Sequence, residues 1–191
     1  MGEERKFATV LFADIVGSTA LGEAHDPEVV RETLSRTFAT WRQILTSHGG
    51  TVEKFIGDAV MAVFGVPSAH EDDAERAVRA AFAIRECARE GTGGPMSLDV
   101  RVGITSGEVV SGSGGGGELL VTGASVNAAA RLQQAAAPGE LLVGSVTRDL
   151  TSHTVRFGDP RRVEAKGMGG LDAFPAEDLL FELPALRAAP E

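Results

Sequence analysis

The spacing of apolar residues changes along the chain, and each change predicts an element. An almost unbroken apolar run from Phe7 to Ala13 predicts a strand buried on both faces. The dipeptide Asp26-Pro27 is typical of a helix start, and apolar residues then recur at helical spacing until Gly49-Gly50. Two short runs, Thr51 to Ile56 and Ala59 to Phe64, follow with only two residues between them. The first part of the chain is therefore predicted to be a strand, a helix and a hairpin.

The pattern then repeats with a second helix and strand. Alanine and isoleucine recur on one side of Asp72 to Arg89, which predicts a helix with a charged outer face. Strict alternation of apolar and polar residues from Leu98 to Ile104 predicts a strand, and Glu108 to Val110 are predicted to turn back after Ser106-Gly107. The order βαββαβ predicts an α+β fold with a ferredoxin-like core.

A C-terminal αβ extension is predicted beyond this core. Five glycines occur within Gly112 to Gly117, a stretch too flexible to pack. A strand, a helix and a strand are predicted after it, with weaker strands near the end: Leu119 to Val121, Ser125 to Ala136 and Leu141 to Val143. We expect one domain over residues 1–183 and a tail or linker over 184–191, which could lead into a further regulatory domain.

The composition and net charge of the chain limit the kinds of partner and location that we expect for it. The chain has 191 residues, 43% of them hydrophobic, and a net charge of −9. The negative charge argues against bare nucleic acid or an anionic membrane as the main partner. No apolar stretch approaches the ~20 residues that a membrane-spanning helix needs. The single cysteine, Cys87, cannot form an internal disulfide, and the charged N-terminus lacks a signal-peptide core, so we expect a cytoplasmic protein.

Two aspartates are the strongest candidates for chemistry. Asp14 closes the first strand, and Asp58 lies in the predicted hairpin turn. Each alone is as well explained as a cap or turn residue. In a split βαβ unit, however, the first strand lies beside the hairpin, so the two carboxylates would converge. Converging carboxylates repel unless a cation lies between them, which predicts Mg²⁺ or Mn²⁺.

Other polar residues have both an ordinary and a functional interpretation. The turn Ile15-Val16-Gly17-Ser18-Thr19 is either a helix cap or a phosphate-binding turn with free backbone amides. Lys54 shares a predicted strand face with Val52 and Ile56, so its side chain either extends to the edge or meets a ligand. Asn127 and Arg131 are four residues apart on one helix face, and Lys166 alone would be an ordinary surface lysine. The histidines lack metal-ligand spacing.

Four segments together resemble a known family. They are TVLFADIVGST, EKFIGDAVMAVFG, VRVGITSGEVVSG and VTGASVNAAARLQQAAAPGELLV. In this order, over roughly residues 6–183, they are similar to the class III nucleotide cyclase catalytic domain, the adenylate and guanylate cyclase family. In that family two domains pair head to tail and build each active site together, so the resemblance implies a homodimer.

The resemblance also implies a role for each candidate residue. Asp14 and Asp58 match the aspartates that hold two Mg²⁺ or Mn²⁺ ions, with the backbone of Ile15 and the turn Val16 to Thr19 near metal and phosphate. The other matches are Lys54 to the lysine that contacts adenine, Asn127 to the asparagine that orients the ribose, Arg131 to the arginine that stabilises charge on the α-phosphate, and Lys166 to a triphosphate-binding lysine.

One position departs from the family pattern. Leu120 occupies the second purine-reading position, where many adenylate cyclases have aspartate or threonine, and it cannot hydrogen-bond a base. The resemblance implies an adenylate cyclase that converts ATP to 3′,5′-cyclic AMP. The alternative is a low-activity or inactive nucleotide-binding and dimerisation module. Lys54 disfavours guanylate cyclase, and Ile56 to Ala59 do not match the hairpin motif of diguanylate cyclases.

Overall fold

The computed structural model describes residues 3–91, 96–113, 119–165, 167 and 169–180. The helices and strands of the described chain, in order, are β1 (Glu4–Ile15), α1 (Ser18–Ala24), α2 (Pro27–Ser47), β2 (Thr51–Ile56), β3 (Ala59–Phe64), α3 (Asp73–Glu90), β4 (Val100–Ser113), β5 (Leu119–Thr122), α4 (Ala124–Ala135), β6 (Leu141–Gly144), α5 (Ser145–Thr151), β7 (Val155–Phe157), β8 (Arg161–Ala165) and β9 (Gly169–Leu179). None of the helices described is long and apolar enough to cross a membrane.

One mixed sheet organises these elements. Its strand order is β2-β3-β1-β4-β6-β9-β7, with β5 paired to β4 and β8 paired to β9. The first four strands with α2 and α3 form the predicted ferredoxin-like core, with the short α1 between β1 and α2, and the elements from β5 onward form the predicted C-terminal αβ extension. Strand β1 runs antiparallel to both β3 and β4. This order places the end of β1 beside the β2–β3 turn.

Strand β1 is buried on both faces, as its apolar run predicts. Leu11 and Ala13 belong to the core beneath α2 and α3, which includes the fully buried Trp41. Val10 and Phe12 point to the opposite face, where they pack with Ala129 and other residues of α4. Helices therefore cover both sides of the central strand, which explains why it lacks the alternation of a half-exposed strand.

The predicted hairpin after Ser106-Gly107 is wrong. Strand β4 continues through Gly107 for 14 residues, because the 12-residue β1 pairs with it from Glu4 opposite Ser111 to Ile15 opposite Val100. Gly107 marks a close approach instead of a turn, since a Cβ there would overlap the hydroxyl of Ser125.

The glycine-rich segment is also more ordered at its start than predicted. Gly112 and Ser113 end β4 and pair with Leu120 and Leu119 of β5. Residues 114–118 lie outside the described part of the chain, as does the predicted tail over 184–191. Helix α5 was not predicted, because its seven residues show only Thr147 and Thr151 as buried positions and no apolar stripe.

Gly103 of β4 allows α4 to lie directly on the sheet. A Cβ at this position would overlap the carbonyl oxygen of Ala129 and the amide nitrogen of Gln133, and it would lie 2.9 Å from the Cα of Gln133. These are backbone atoms, so the helix itself would have to move. The position of α4 over β1 and β4 therefore depends on this glycine.

Gly103→Ala is expected to lower the free energy of unfolding by about 2–3 kcal/mol, because an added methyl group forces the α4 backbone away from the sheet. The check is the urea midpoint at one fixed protein concentration. Gly22→Ala in α1 is the matched control, because a Cβ there meets no atom within 4 Å. Alanine in a helix should leave the control equal to or slightly more stable than the parent. Equal midpoints for Gly103→Ala and the parent would contradict the close packing of α4.

Candidate active site

The two candidate aspartates converge at one end of the sheet. Asp14 pairs with Ala59 in the register of β1 and β3, and the amide of Ile15 donates to the carbonyl oxygen of Asp58 at 3.2 Å. The hydroxyl of Ser18 donates to Asp58 Oδ2. The hairpin turn is thus fixed to both the end of β1 and the start of α1, and the convergence predicted from the sequence is what the structure shows.

Asp14 is held by polar side chains at the end of β1. Its Oδ2 accepts from Arg101 Nη2 at 2.7 Å and from Gln133 Nε2 at 3.1 Å. Its Oδ1 is buried and has no hydrogen-bond partner among the described residues. Burial raises the pKa of the Asp14 carboxyl, the Arg101 guanidinium counteracts this, and the negative charge of Asp58 raises the pKa further.

The backbone turn after Asp14 is only partly available for a ligand. The amide of Ile15 is bonded to Asp58, and the amide of Val16 donates to the carbonyl oxygen of Asp99 at 2.8 Å. The expectation of free amides at these two positions is therefore wrong, because neighbouring strands already supply acceptors. Gly17, with a φ of 71°, and Ser18-Thr19 begin α1, whose first-turn amides have no acceptor within the helix.

Lys54 does not share a strand face with Val52 as predicted, although it does share one with Ile56. The pairing register of β2 with β3 shifts at Glu53. Val52 pairs with Ala62, and Lys54 pairs with Met61, which directly precedes Ala62. Ala62 belongs to the core beneath α2 and α3, whereas Met61 belongs to the opposite face. The bulge thus moves Lys54 away from Val52, and its side chain is 45% exposed with Nζ 3.2 Å from Glu53 Oε1.

Asn127 and Arg131 lie together on the outer face of α4. Both residues are exposed, and Arg131 Nη1 donates to Gln134 Oε1 at 3.0 Å. Gln133 lies on the buried face of the same helix, where it contacts Asp14. Among the described residues, the structure brings Asp14 and Asp58 together but no hydrogen bond joins Asn127 or Arg131 to either aspartate.

The two remaining candidates are Leu120, the second residue of β5, and Lys166. Leu120 is 46% exposed and pairs with Gly112, while its neighbour Val121 is buried against the face that also carries Val10. Strand β5 also approaches β2, the strand of Lys54. Lys166 lies outside the described residues.

The family model for the adenylate and guanylate cyclase catalytic domain matches residues 2–176. The chain belongs to this family. The crystal structure of the adenylyl cyclase CyaB from P. aeruginosa is similar with a TM-score of 0.86 and 30% identity, over 93% of this chain and 97% of that one. The guanylyl cyclase Cya2 is similar with a TM-score of 0.85 and 31% identity, over 94% and 95% of the two chains.

A curated relative from Rhizobium meliloti, an uncharacterized protein, is 37% identical over 171 residues. These residues are 87% of this chain but 17% of that protein, and relatives from Mycobacterium are matched over 30% of their length. The chain thus spans less than a third of the curated relatives it matches. It is a nucleotide cyclase catalytic domain, and its structural neighbours include both an adenylyl and a guanylyl cyclase.

The aspartates of this cyclase domain fit a divalent cation. Carboxylate oxygens are the ligands of hard cations, and Mg²⁺ is commonly held by one or two carboxylates together with substrate phosphates. The buried and unpartnered Asp14 Oδ1 is an acceptor that such an ion would satisfy. No group of three or more histidine, cysteine or acidic residues that could hold a metal ion is found among the described residues, so water or substrate phosphate oxygens would have to complete the coordination.

Two residues at this site escaped the sequence analysis. Arg101 lies opposite Asp14 in the β1–β4 register, where it appeared only as a polar position of an alternating strand. Gln133 is 6% exposed on a helix face otherwise formed by residues such as Ala129 and Leu132. A glutamine at a predicted core position is the signal that could have singled it out, because buried amides need partners.

Proposed function

We propose that the chain is a metal-dependent adenylate cyclase that converts ATP to 3′,5′-cyclic AMP and pyrophosphate at sites shared by two chains arranged head to tail. The observation that carries this proposal is the orientation of α4. Its buried face contacts Asp14 through Gln133, while Asn127 and Arg131 occupy its exposed face. Side chains on the outer face are directed away from the aspartates of their own chain, so a second chain has to bring the two groups together.

The reaction follows from these positions. The ribose 3′-hydroxyl gives its proton to solvent, its oxygen forms the new bond to the α-phosphorus, and the bond to pyrophosphate breaks in line with it. Two divalent cations held by Asp14 and Asp58, with the backbone of Ile15, would supply the charge that activates the 3′-hydroxyl and neutralises the triphosphate. Arg131 stabilises the charge that grows on the α-phosphate, and Asn127 orients the ribose. Lys166 is proposed to bind the triphosphate.

The preference for adenine rests on Lys54. Its exposed ammonium can donate to the N1 acceptor of adenine, whereas guanine carries a hydrogen at N1 and would favour a carboxylate. The exposed Leu120 offers the base an apolar contact only. A single polar contact gives moderate discrimination, so we expect ATP to be preferred over GTP by about ten- to a hundredfold.

The test is production of cyclic AMP from ATP and of cyclic GMP from GTP by the purified chain, in Mg²⁺ and separately in Mn²⁺. Lys54→Glu is expected to lower the ratio of kcat/KM for ATP over GTP by at least about tenfold, because the carboxylate repels adenine N1 and accepts from guanine. Lys6→Glu, which makes the same charge change at the start of β1, should leave the ratio unchanged. Production of cyclic GMP alone by the parent chain would contradict the adenylate assignment.

Absence of both products, with nucleotide binding intact at high protein concentration, would favour the other candidate, a nucleotide-binding and dimerisation module. The apolar Leu120 is the observation that favours this module, because it would leave one edge of the base without a hydrogen-bond partner.

Activity per chain should rise with protein concentration if the sites form only between chains.

A further inference from the structure

Gln133 is a buried polar residue whose amide reaches the end of β1. The residue is 6% exposed, and its Nε2 donates to Asp14 Oδ2 at 3.1 Å. Burying an amide among apolar residues is unfavourable unless its hydrogen bonds are replaced, so this contact is what makes a glutamine acceptable here. Together with Arg101 Nη2, which donates to the same Oδ2 at 2.7 Å, the contact orients the carboxylate so that Oδ1, the oxygen without a partner among the described residues, is the one left for a ligand.

The helix that carries Gln133 is seated on the sheet without spare room. Gly103 of β4 lies so close beneath it that a Cβ would overlap the carbonyl oxygen of Ala129 and the amide nitrogen of Gln133. A tightly packed helix moves as a unit, because its interior neighbours leave no space for local adjustment. Gln133 thus connects the Asp14 carboxylate to a helix whose backbone is in close contact with the sheet.

The opposite face of α4 carries Asn127 and Arg131. Arg131 precedes Gln133 by two residues, which is about 200° around a helix, and both Asn127 and Arg131 are exposed. In the proposed head-to-tail dimer these outer side chains complete the partner's site. The inner face of α4 thus contacts Asp14 of its own chain, while its outer face supplies Asn127 and Arg131 to the site of the partner chain.

We propose that Gln133 is a positioning residue that couples the two sites of the dimer, by tying Asp14 of each chain to the helix that the same chain lends to its partner. The part of this inference that concerns coupling rests on the proposed function. The part that concerns Asp14 rests on the observed hydrogen bond and on metal binding by the two aspartates, and does not require turnover. Outer partners of metal-binding carboxylates orient their ligands, and their loss typically costs tenfold or more in affinity or activity.

The first test measures metal binding without turnover. Gln133→Met keeps the length of the side chain and removes its donor. We expect it to weaken Mn²⁺ binding to the nucleotide-free chain by about tenfold, measured by electron paramagnetic resonance titration. Gln43→Met, on an exposed position of α2, should bind Mn²⁺ as the parent does. Equal affinity of Gln133→Met and the parent, or no binding of Mn²⁺ by the parent, would overturn the role assigned to Gln133.

The second test separates coupling from a local effect. One chain carries both Asp58→Ala and Gln133→Met, and it is mixed with a chain that carries Arg131→Ala. A mixed dimer has one complete site. That site takes its aspartates from the Arg131→Ala chain and its Arg131 from the doubly substituted chain. The changed Gln133 then contacts only the Asp14 of the disabled site. Coupling predicts a kcat about tenfold below that of the same mixture with Gln133 intact, with KM unchanged. Equal kcat in the two mixtures would overturn coupling.

The two tests also distinguish this inference from the proposed function. If the parent chain makes no cyclic nucleotide, the proposed function fails and coupling fails with it, while the Mn²⁺ titration still decides whether Gln133 positions Asp14.

If Gln133→Met does not fold, as judged by its thermal unfolding, Gln133→Asn replaces it. Its amide is one methylene shorter and cannot span the 3.1 Å contact in place, so the same loss of Mn²⁺ affinity is expected.

Discussion

Arg131→Ala is expected to lower kcat for cyclic AMP formation by about 10²–10³-fold while KM for ATP changes less than threefold. The guanidinium acts where negative charge increases between the bound substrate and the transition state, so its loss affects turnover more than binding. Its exposed position on α4 and its hydrogen bond to Gln134 Oε1 show that it is not part of the core. The variant should therefore fold, and steady-state kinetics over a range of ATP concentrations is the appropriate measurement.

Arg31→Ala is the matched control for this prediction, because it removes an exposed arginine from α2, a helix that carries none of the candidate site residues. It should retain the parent's kcat and KM. An Arg131→Ala chain with an unchanged kcat would contradict the role proposed for Arg131, and a rise in KM alone would make it a substrate-binding residue.

Asp58→Ala is expected to reduce cyclic nucleotide formation below detection in both Mg²⁺ and Mn²⁺. Asp58 supplies one of the two carboxylates at the end of the sheet, and its position is fixed by Ser18 and by the bond from the amide of Ile15. Without it a divalent cation would keep only one acidic side chain as ligand, so both metal binding and turnover should fall. Product formation and Mn²⁺ titration measure the two effects separately.

The same change should also move the titration of Asp14. The charge of Asp58 contributes to the raised pKa of the Asp14 carboxyl, so removing that charge should lower this pKa toward its ordinary value. Carbonyl-region infrared or NMR titration of Asp14 would show the shift. Asp159→Ala, a change of an exposed loop aspartate, is the control and should leave both activity and this titration unchanged.

Much of the core could be predicted because local and tertiary preferences agree there. The hairpin strands β2 and β3 have the predicted bounds, since apolar runs and the short Gly57-Asp58 connection specify them without help from distant residues. Helix α2 was likewise indicated by Asp26, whose carboxylate accepts from the amide of Glu28 at 2.8 Å. The chemistry of caps and turns is contained within a few residues.

The errors occurred where a residue's role depends on a distant partner. Gly107 resembles a turn residue, but it lies inside β4 because the distant strand β1 pairs with β4 on both sides of it. Lys54 was assigned to the face of Val52 by simple alternation, which the bulge at Glu53 reverses.

The candidate site was predictable in part for the same reason. Asp14 and Asp58 follow from strand order, since β1 lies beside the hairpin in any split βαβ unit. The contact of Arg101 with Asp14 depends on the β1–β4 register, and that of Gln133 depends on how closely α4 approaches the sheet. Local periodicity specifies neither the β1–β4 register nor the distance of α4 from the sheet. The contacts of Arg101 and Gln133 with Asp14 can therefore be identified only in the folded structure.

The central claim, that each site is shared between two chains, is tested most directly by mixing the Asp58→Ala and Arg131→Ala chains. Each variant alone should be almost inactive. After random exchange about half of the dimers contain one chain of each kind, and each such dimer has one complete site of two. We therefore predict recovery of about a quarter of the parent's cyclic AMP formation. A mixture that forms mixed dimers and stays as inactive as its components would contradict the shared site.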